Sequence, residues 1–177
     1  MFETETPYTL RRATSSDAEM LSQIGIATFV ETYTALIDGP AMTAHCAAHH
    51  SAAAYTVHLA DKDTAAWLIA HRSTGAPMGY ALACPPDLPV PIEAGDVELK
   101  RIYLLSRFQG RGAAQAMMHT VLDWARERGA PRVLLGTYEG NDRAAAFYRK
   151  HGFELIGTRQ FDVGGIIYDD IVLGRAL

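Results

Sequence analysis

The chain has 177 residues, 49% hydrophobic and 20% charged, which is ordinary for one globular domain covering residues 1–177. Its net charge of −4 argues against a general surface for nucleic acid or for an anionic membrane. The polar start Met1–Pro7 does not resemble a signal peptide, and no apolar run approaches the roughly 20 residues of a membrane span. Two cysteines are too few for a disulfide framework, so a cytoplasmic setting is expected.

The first half of the sequence alternates between strand-like and helix-like patterns. The expected elements, in order, are a strand at Tyr8–Arg12, a helix at about Asp17–Thr32, an alanine-rich helical stretch at Ala41–Ala60, and a hairpin of two strands at Thr64–His71 and Met78–Cys84. Ser16 and Glu19 have the spacing of a capping box at the start of the first helix. The alanine-rich stretch is expected to break near His50-Ser51.

The second half begins with a loop that holds four of the eight prolines. The expected elements, in order, are this loop at Pro85–Gly95, a strand at Val97–Leu105, a helix at Gly112–Arg128, a strand at Arg132–Tyr138, a helix at Asp142–His151, and a hairpin of Phe153–Phe161 with Ile166–Leu173 around Gly164-Gly165. This order predicts an α/β (α+β) domain with a mixed central sheet flanked by helices.

The turn between the Val97–Leu105 strand and the next helix is the most informative segment. Its residues are Gln109, Gly110, Arg111, Gly112, Ala113 and Ala114. Glycine permits a close approach of the backbone, so that successive N–H groups converge on one anion, and the first turn of the helix adds its own free amides. The turn therefore suits a phosphate or pyrophosphate, although it matches neither the P-loop pattern nor the dinucleotide fingerprint.

A second motif, about thirty residues downstream, makes a family resemblance specific. Gln109-x-x-Gly112-x-Ala114 resembles the acyl-CoA pyrophosphate motif of the GNAT superfamily of N-acetyltransferases. The segment Asn141-x-x-Ala144-x-x-Phe147-Tyr148-x-x-x-Gly152-Phe153 is similar to the second motif of that family, and the match covers residues 97–153. The resemblance implies a GNAT fold, acetyl-CoA as co-substrate, no metal, and transfer of an acetyl group to a primary amine.

The resemblance also implies which residues hold acetyl-CoA. Ile102, Tyr103 and Leu104 would splay from the neighbouring strand and offer backbone groups to the pantetheine arm. The turn Gln109–Ala114 would hold the pyrophosphate. Asn141 would bind the pantetheine arm, cap a helix, or do both.

Two residues are the candidates for acid–base chemistry. An amine with a pKa near 10 is about a thousandfold protonated at pH 7, and Glu98 is a candidate base. Alternatively, Glu98 is a solvated strand residue or the ion-pair partner of Lys100 or Arg101. In strict alternation Glu98 and Lys100 share one face of the strand, unless a bulge shifts the register. Tyr148 is the candidate acid for the thiolate, and its alternative is a core aromatic beside Phe147.

Residues near the amino terminus suggest where the acceptor binds. Three segments together resemble bacterial polyamine acetyltransferases and their unassigned relatives: Phe29–Tyr33, Arg101–Tyr103 and Phe161–Gly164. Acidic and aromatic groups suit a cationic amine, so Phe29, Glu31 and Tyr33 are the candidates for contact with the acceptor. A small molecule or a peptide is therefore the expected acceptor, and a homodimer is common among relatives. A non-catalytic acyl-CoA sensing module is the alternative function. The four histidines between positions 45 and 58 are read as a surface helix with titrating side chains rather than as a metal site.

Overall fold

A computed structural model describes residues 6–177, and its seven strands in that range form one sheet in the order β1-β2-β3-β4-β5-β7-β6. The strands are β1 (Tyr8–Arg12), β2 (Ala65–His71), β3 (Pro77–Cys84), β4 (Val97–Leu104), β5 (Arg132–Tyr138), β6 (Glu154–Val163) and β7 (Ile166–Ala176). The helices are α1 (Ala18–Tyr33), α2 (Gly39–His49), α3 (Ala52–Ala60), α4 (Ala113–Glu127) and α5 (Asp142–Lys150). Every neighbouring pair of strands is antiparallel except β4 and β5. The predicted mixed sheet flanked by helices is confirmed.

The start of α1 differs from the expectation. The carboxylate of Asp17 is buried, where it accepts a hydrogen bond from the Thr14 N–H (2.7 Å) and two from the Arg11 guanidinium (2.7 and 2.8 Å). Ser16 and Glu19 remain exposed, so the capping box predicted on them is wrong. A short 3-10 turn comes before the helix and moves the cap two residues towards the amino terminus.

The alanine-rich stretch breaks where the sequence predicts. Helix α2 ends at His49, and α3 starts afresh because the Ser51 hydroxyl accepts a hydrogen bond from the Ala54 N–H (3.2 Å). Asp38 caps α2 in the same way, through the Ala41 N–H (3.0 Å). Both caps use side chains that compete poorly inside helices and favour their first positions.

Helices cover both faces of the sheet and bury two main apolar clusters. Helices α1 and α3 cover one face, where the buried side chains include Leu21, Ile24, Tyr55, Leu68, Tyr80 and Leu82. Helices α4 and α5 cover the other face, where they include Trp67, Leu99, Met118, Leu122, Val133 and Tyr148. Helix α2 lies at the end of the β6–β7 hairpin, close enough that a Cβ on Gly164 would collide with Ala41. Within residues 6–177 no helix combines the length and the apolar character needed to traverse a bilayer.

Strands β4 and β5 separate soon after they begin. Their parallel pairing is limited to Val97 with Val133 and Glu98 with Leu134. Strand β5 continues to Tyr138 along β7, while β4 continues along β3. A wedge therefore opens in the middle of the sheet, and β4 splays from its neighbour as the family resemblance implies.

A β-bulge at Lys100 changes which side chains of β4 share a face. The pairing of β4 with β3 skips this residue. Leu99 and Ile102 consequently both pack on the α4 side, although strict alternation would place residues three apart on opposite faces. Arg101 points to the other layer, with its guanidinium over the ring of Tyr55 in α3 (5.4 Å to the centroid).

Candidate active site

A cavity of about 1110 Å³ occupies the wedge between β4 and β5. One end is bounded by the turn before α4, and the other end is bounded by α2 and the β6–β7 hairpin. Its size slightly exceeds the roughly 300–1,000 Å³ typical of small-molecule and cofactor sites. A long ligand can therefore enter at the turn and extend along β4.

The turn before α4 leaves its amide groups without protein partners. Gly110 and Gly112 have φ values of 78° and 80°, a left-handed conformation that favours glycine. Helices α2, α3 and α5 each have a side-chain cap, whereas α4 has none. Within the described part of the chain, no acceptor is bonded to the N–H groups of Ala113, Ala114 or Gln115. These donors and the positive end of the helix dipole form a site for an anion.

The members of the turn differ in their exposure to the cavity. Gly110, Gly112 and Ala114 line it, and a Cβ on either glycine would meet no neighbouring atom, so the space in front of them is open. Arg111 is exposed and lies outside the cavity wall, and Ala113 is buried beneath the turn. Only the backbone of these last two residues is therefore placed to contribute.

Gln109 joins the turn to the end of β4. Its Nε2 donates a hydrogen bond to the Leu104 carbonyl (2.8 Å), while its Oε1 is buried without a donor from residues 6–177. The side chain lines the cavity. A buried acceptor of this kind suits a ligand that brings an N–H or O–H group.

The middle of the cavity is lined by the splayed part of β4 and by the start of α5. Ile102, Tyr103 and Leu104 all line it, and their backbone has no β5 partner on the wedge side. The Asn141 Oδ1 accepts a hydrogen bond from the Ala144 N–H (3.1 Å), so the predicted helix cap is confirmed. The Asn141 amide also lines the cavity.

Tyr148 reaches the cavity from the interior of the protein. Its ring packs against Phe147 and Phe153, at 5.7 and 6.0 Å between ring centroids, and it also belongs to the cavity wall. Burial raises the pKa of Tyr148 above its ordinary value, and the neighbouring Tyr103 adds to this effect. The phenol therefore stays protonated at neutral pH and can act as a donor.

Glu98 is buried at the wall of the cavity, only 2% exposed, so the reading as a solvated strand residue is wrong. Its Oε2 accepts a hydrogen bond from the Asp87 N–H (2.8 Å), and the Lys100 Nζ lies 3.7 Å from its Oε1. The ion pair with Lys100 that the sequence allowed is thus present. The same carboxylate faces the cavity, so an ion pair and a role in proton transfer are compatible.

The three residues expected to contact the acceptor all line the cavity, but they are not equally available. Both carboxylate oxygens of Glu31 accept hydrogen bonds from Ser106, one from its N–H (2.9 Å) and one from its hydroxyl (2.8 Å). Glu31 therefore ties α1 to the loop after β4. The Tyr33 hydroxyl lies 3.4 Å from that of Tyr103, and burial raises the pKa of Tyr33. Phe29 is buried and stacks on the His45 ring (4.3 Å).

Histidines at the end of α2 belong to the site, and the expectation of titrating surface side chains is wrong for His45, His50 and His58. Burial lowers the pKa of His58, in α3, to about 4. His45, His49 and His50 line the cavity. Burial, followed by the charge of neighbouring side chains, lowers the pKa of His45 to about 4 and that of His50 to about 3. These two rings are neutral at pH 7. The contact of Phe29 with His45 is long-range in sequence, so spacing alone does not reveal it.

No metal cluster competes with this interpretation among the described residues. Residues 6–177 contain no group of three histidine, cysteine, aspartate or glutamate side chains that could hold a metal ion. The α2 histidines are instead grouped with aromatic rings, including Phe29 and Phe161.

The comparisons with known proteins agree with this geometry. Residues 31–153 match the family model described as the acetyltransferase (GNAT) family. A Mycobacterium tuberculosis protein named "uncharacterized N-acetyltransferase" is 35% identical over 162 residues, which cover 92% of this chain and 99% of that protein. Rat N-acetyltransferase 8 is 30% identical over 106 residues, which cover 60% of this chain and 46% of that protein.

Solved structures share the fold. PaiA N-acetyltransferase from Thermoplasma acidophilum, solved in complex with coenzyme A, has a TM-score of 0.79 at 15% identity and covers 97% of this chain and 100% of its own. Ribosomal-protein-S5-alanine acetyltransferase from Vibrio fischeri has a TM-score of 0.70 at 15% identity and covers 99% of this chain and 95% of its own. With the family model and the mycobacterial relative, the wedge and its uncapped helix establish that this chain belongs to the GNAT family of N-acetyltransferases.

Proposed function

We propose that this enzyme transfers an acetyl group directly from acetyl-CoA to a primary amine of a small molecule or peptide. The observation that carries the proposal is the cavity in the wedge between β4 and β5, which ends at the uncapped start of α4. Acetyl-CoA supplies an activated thioester on a long arm that ends in a pyrophosphate. Its shape matches an anion site at one end and an unpaired strand edge in the middle.

The residues that would hold acetyl-CoA follow from their free hydrogen-bonding groups. The amides from Gly110 to Gln115 would bind the pyrophosphate, since they lack acceptors in residues 6–177 and the space beside Gly110 and Gly112 is open. The backbone of Ile102–Leu104 would bind the pantetheine arm in place of a β5 strand. Asn141 and the Gln109 Oε1 add polar groups from the cavity wall. The Thermoplasma protein of the same fold was solved in complex with coenzyme A, which supports coenzyme A as the kind of ligand.

Two side chains would carry out the proton transfers of the reaction. The amine must lose a proton before its nitrogen attacks the thioester carbonyl, and Glu98 would accept that proton directly or through water. Tyr148 would donate its phenolic proton to the departing sulfur, because burial keeps the phenol protonated. The thioester C–S bond breaks as the amide C–N bond forms, so the products are an N-acetylated amine and a free thiol.

The class of amine that accepts the acetyl group depends on the side chains at the acceptor end of the cavity. The polyamine-like acceptor expected from the sequence requires free acidic groups around a cation. Glu31 is the acidic member of the predicted acceptor set, and Ser106 already occupies both of its oxygens. Phe29 and Tyr33 stay available as an apolar and aromatic wall. The wall is compatible with a small amine or with the end of a peptide.

Release of free thiol from acetyl-CoA across a panel of amines tests whether the protein is catalytic. An enzyme releases thiol with at least one amine and forms the matching N-acetyl product. Tight binding of acetyl-CoA without turnover of any amine would favour the sensing module. The presence of Tyr148 and Glu98 in the cavity wall supports the enzyme, because a binding protein needs neither.

Gly112→Asp tests the anion site. We expect the affinity for acetyl-CoA to fall at least tenfold, because a negative charge would stand where the pyrophosphate approaches. Gly112→Asn is the matched control, since asparagine has nearly the size of aspartate and a similar tolerance of φ 80° but carries no charge. Calorimetry on both folded variants gives the comparison, and equal affinities for the two would refute the assignment.

Tyr148→Phe tests the general acid. The substitution keeps the ring that packs against Phe147 and Phe153 and removes only the hydroxyl. We expect kcat to fall by about 10²–10⁴-fold with acetyl-CoA affinity nearly retained, which is the usual range for general acid–base catalysis. Single-turnover kinetics measure the chemical step, and a wild-type rate there would make Tyr148 a packing residue.

Glu98→Gln tests the base through its pH dependence. We expect turnover at pH 7 to fall by about 10–100-fold, and the deficit to shrink as pH rises towards the pKa of the amine, where free amine becomes abundant. Glutamine keeps an acceptor for the Asp87 N–H, so this backbone contact survives. A deficit that stays constant from pH 7 to pH 10 would indicate a structural role.

A further inference from the structure

The guanidinium of Arg101 is a cation without a counter-charge inside the cavity. It lines the wall, and its Nη1 is buried with no hydrogen-bond partner in residues 6–177. Among the described residues, no ion pair involves Arg101. Tyr55 contacts the guanidinium through its ring and its hydroxyl, and this contact leaves the Nη1 donors without an acceptor. A buried N–H donor without an acceptor costs free energy unless a ligand supplies the acceptor.

Two other cations around the cavity have a carboxylate partner. Lys100 lies beside Glu98 (3.7 Å), and Arg159 is paired with Asp170 (2.9 Å). Glu31 is occupied by Ser106. Asp162, at the same end of the cavity, accepts a hydrogen bond from the Gly165 N–H and has no ion pair within residues 6–177. Arg101 is therefore the cation at this end of the cavity that lacks a carboxylate partner among the described residues.

The side chains next to Arg101 do not neutralise it. Burial comes first and the charge of Arg101 second among the causes that lower the pKa of His50 to about 3. The pKa of His45 is lowered by burial and by the nearby positive groups as well. The neutral imidazoles of His45 and His50 can each donate or accept a single hydrogen bond. Together with Phe29 they line the cavity at the end where Arg101 lies.

The position of Arg101 excludes the pyrophosphate as its partner. Arg101 lies three residues before Leu104 on β4, or about 10 Å along the strand at roughly 3.3 Å per residue. The anion site of the turn lies beyond Leu104, at the other end of the cavity. The bulge at Lys100 turns Arg101 towards α2 and α3, where Phe29 and the histidines line the wall.

We propose that Arg101 binds a carboxylate carried by the acceptor, so that the substrate class is amino acids or peptides rather than polyamines. The inference rests on the proposed function and names the acceptor for the same site. A guanidinium matches a carboxylate with two parallel N–H···O bonds, and these are strong where water is excluded. A polyamine would instead bring a second cation next to Arg101, and the two positive charges would repel each other.

Binding of reaction products tests the inference without turnover. The probes are N-acetyl amino acids and their N-acetyl amino acid amides, which differ only in the carboxylate. We expect at least one N-acetyl amino acid to bind the wild-type protein about 10–100-fold more tightly than its amide, the range for a hydrogen bond to a charged group. In Arg101→Met this ratio should fall to near one, and in Arg101→Lys it should be partly kept. Equal binding of acids and amides across the panel, or a ratio unchanged in Arg101→Met, would overturn the proposal.

Thermal unfolding separates a ligand-binding role from a structural one. Methionine fills most of the space of the arginine stem and removes a buried cation, so Arg101→Met should melt at the wild-type temperature or above it. Acetyl-CoA affinity should also be retained. A lower melting temperature together with weaker acetyl-CoA binding would show that Arg101 holds the fold, and it would contradict the proposal.

Turnover distinguishes this inference from the broader function. Suppose that a polyamine is the best acceptor and that Arg101→Met lowers kcat/KM equally for polyamines and amino acids. The assignment of a carboxylate to Arg101 would then be wrong, while the acetyltransferase activity would be confirmed. If no amine releases thiol but the N-acetyl amino acids bind through Arg101, the proposed catalysis fails and the carboxylate site remains.

Discussion

Strands β4 and β5 are hydrogen-bonded for only two residue pairs before they separate. Such a gap in the middle of a sheet leaves backbone donors and acceptors unpaired, and an interior backbone group without a partner is costly. The sheet avoids collapse because β4 is held by β3 on one side and β5 by β7 on the other. Helices α4 and α5 cover the gap on one face of the sheet. A ligand with an extended amide arm is the natural replacement for the missing strand pairing.

The two ends of the wedge impose different chemistry. At one end, the left-handed glycines Gly110 and Gly112 bring the chain into α4 without a side-chain cap, which leaves a concentration of amide donors for an anion. At the other end, the bulge at Lys100 reverses the alternation of β4 and turns Arg101 into the cavity wall. The acidic Glu98 and the phenol of Tyr148 also reach the wall. The proposed anion site and the residues proposed to contact the acceptor therefore lie at different ends of the cavity.

The sequence predicts those parts of the molecule that depend on local patterns. The helices and strands lie within a few residues of their predicted places because their periodicity and caps are local signals. The capping box at Ser16 is wrong because the buried pair of Arg11 with Asp17 decides the first turn. The neutral histidines and the occupied Glu31 were not predictable, since their partners lie far away in sequence and meet only in the folded wedge.

Amide hydrogen exchange, measured with and without acetyl-CoA, tests the central claim most directly. In the free protein the first-turn amides of α4 lack acceptors in the described residues, so they should exchange quickly. The account predicts that acetyl-CoA slows exchange at Gly110–Gln115 and along Ile102–Leu104. The first turn of α3, which Ser51 already caps, should be unaffected. Protection that appears elsewhere and leaves both of these segments unchanged would contradict the account.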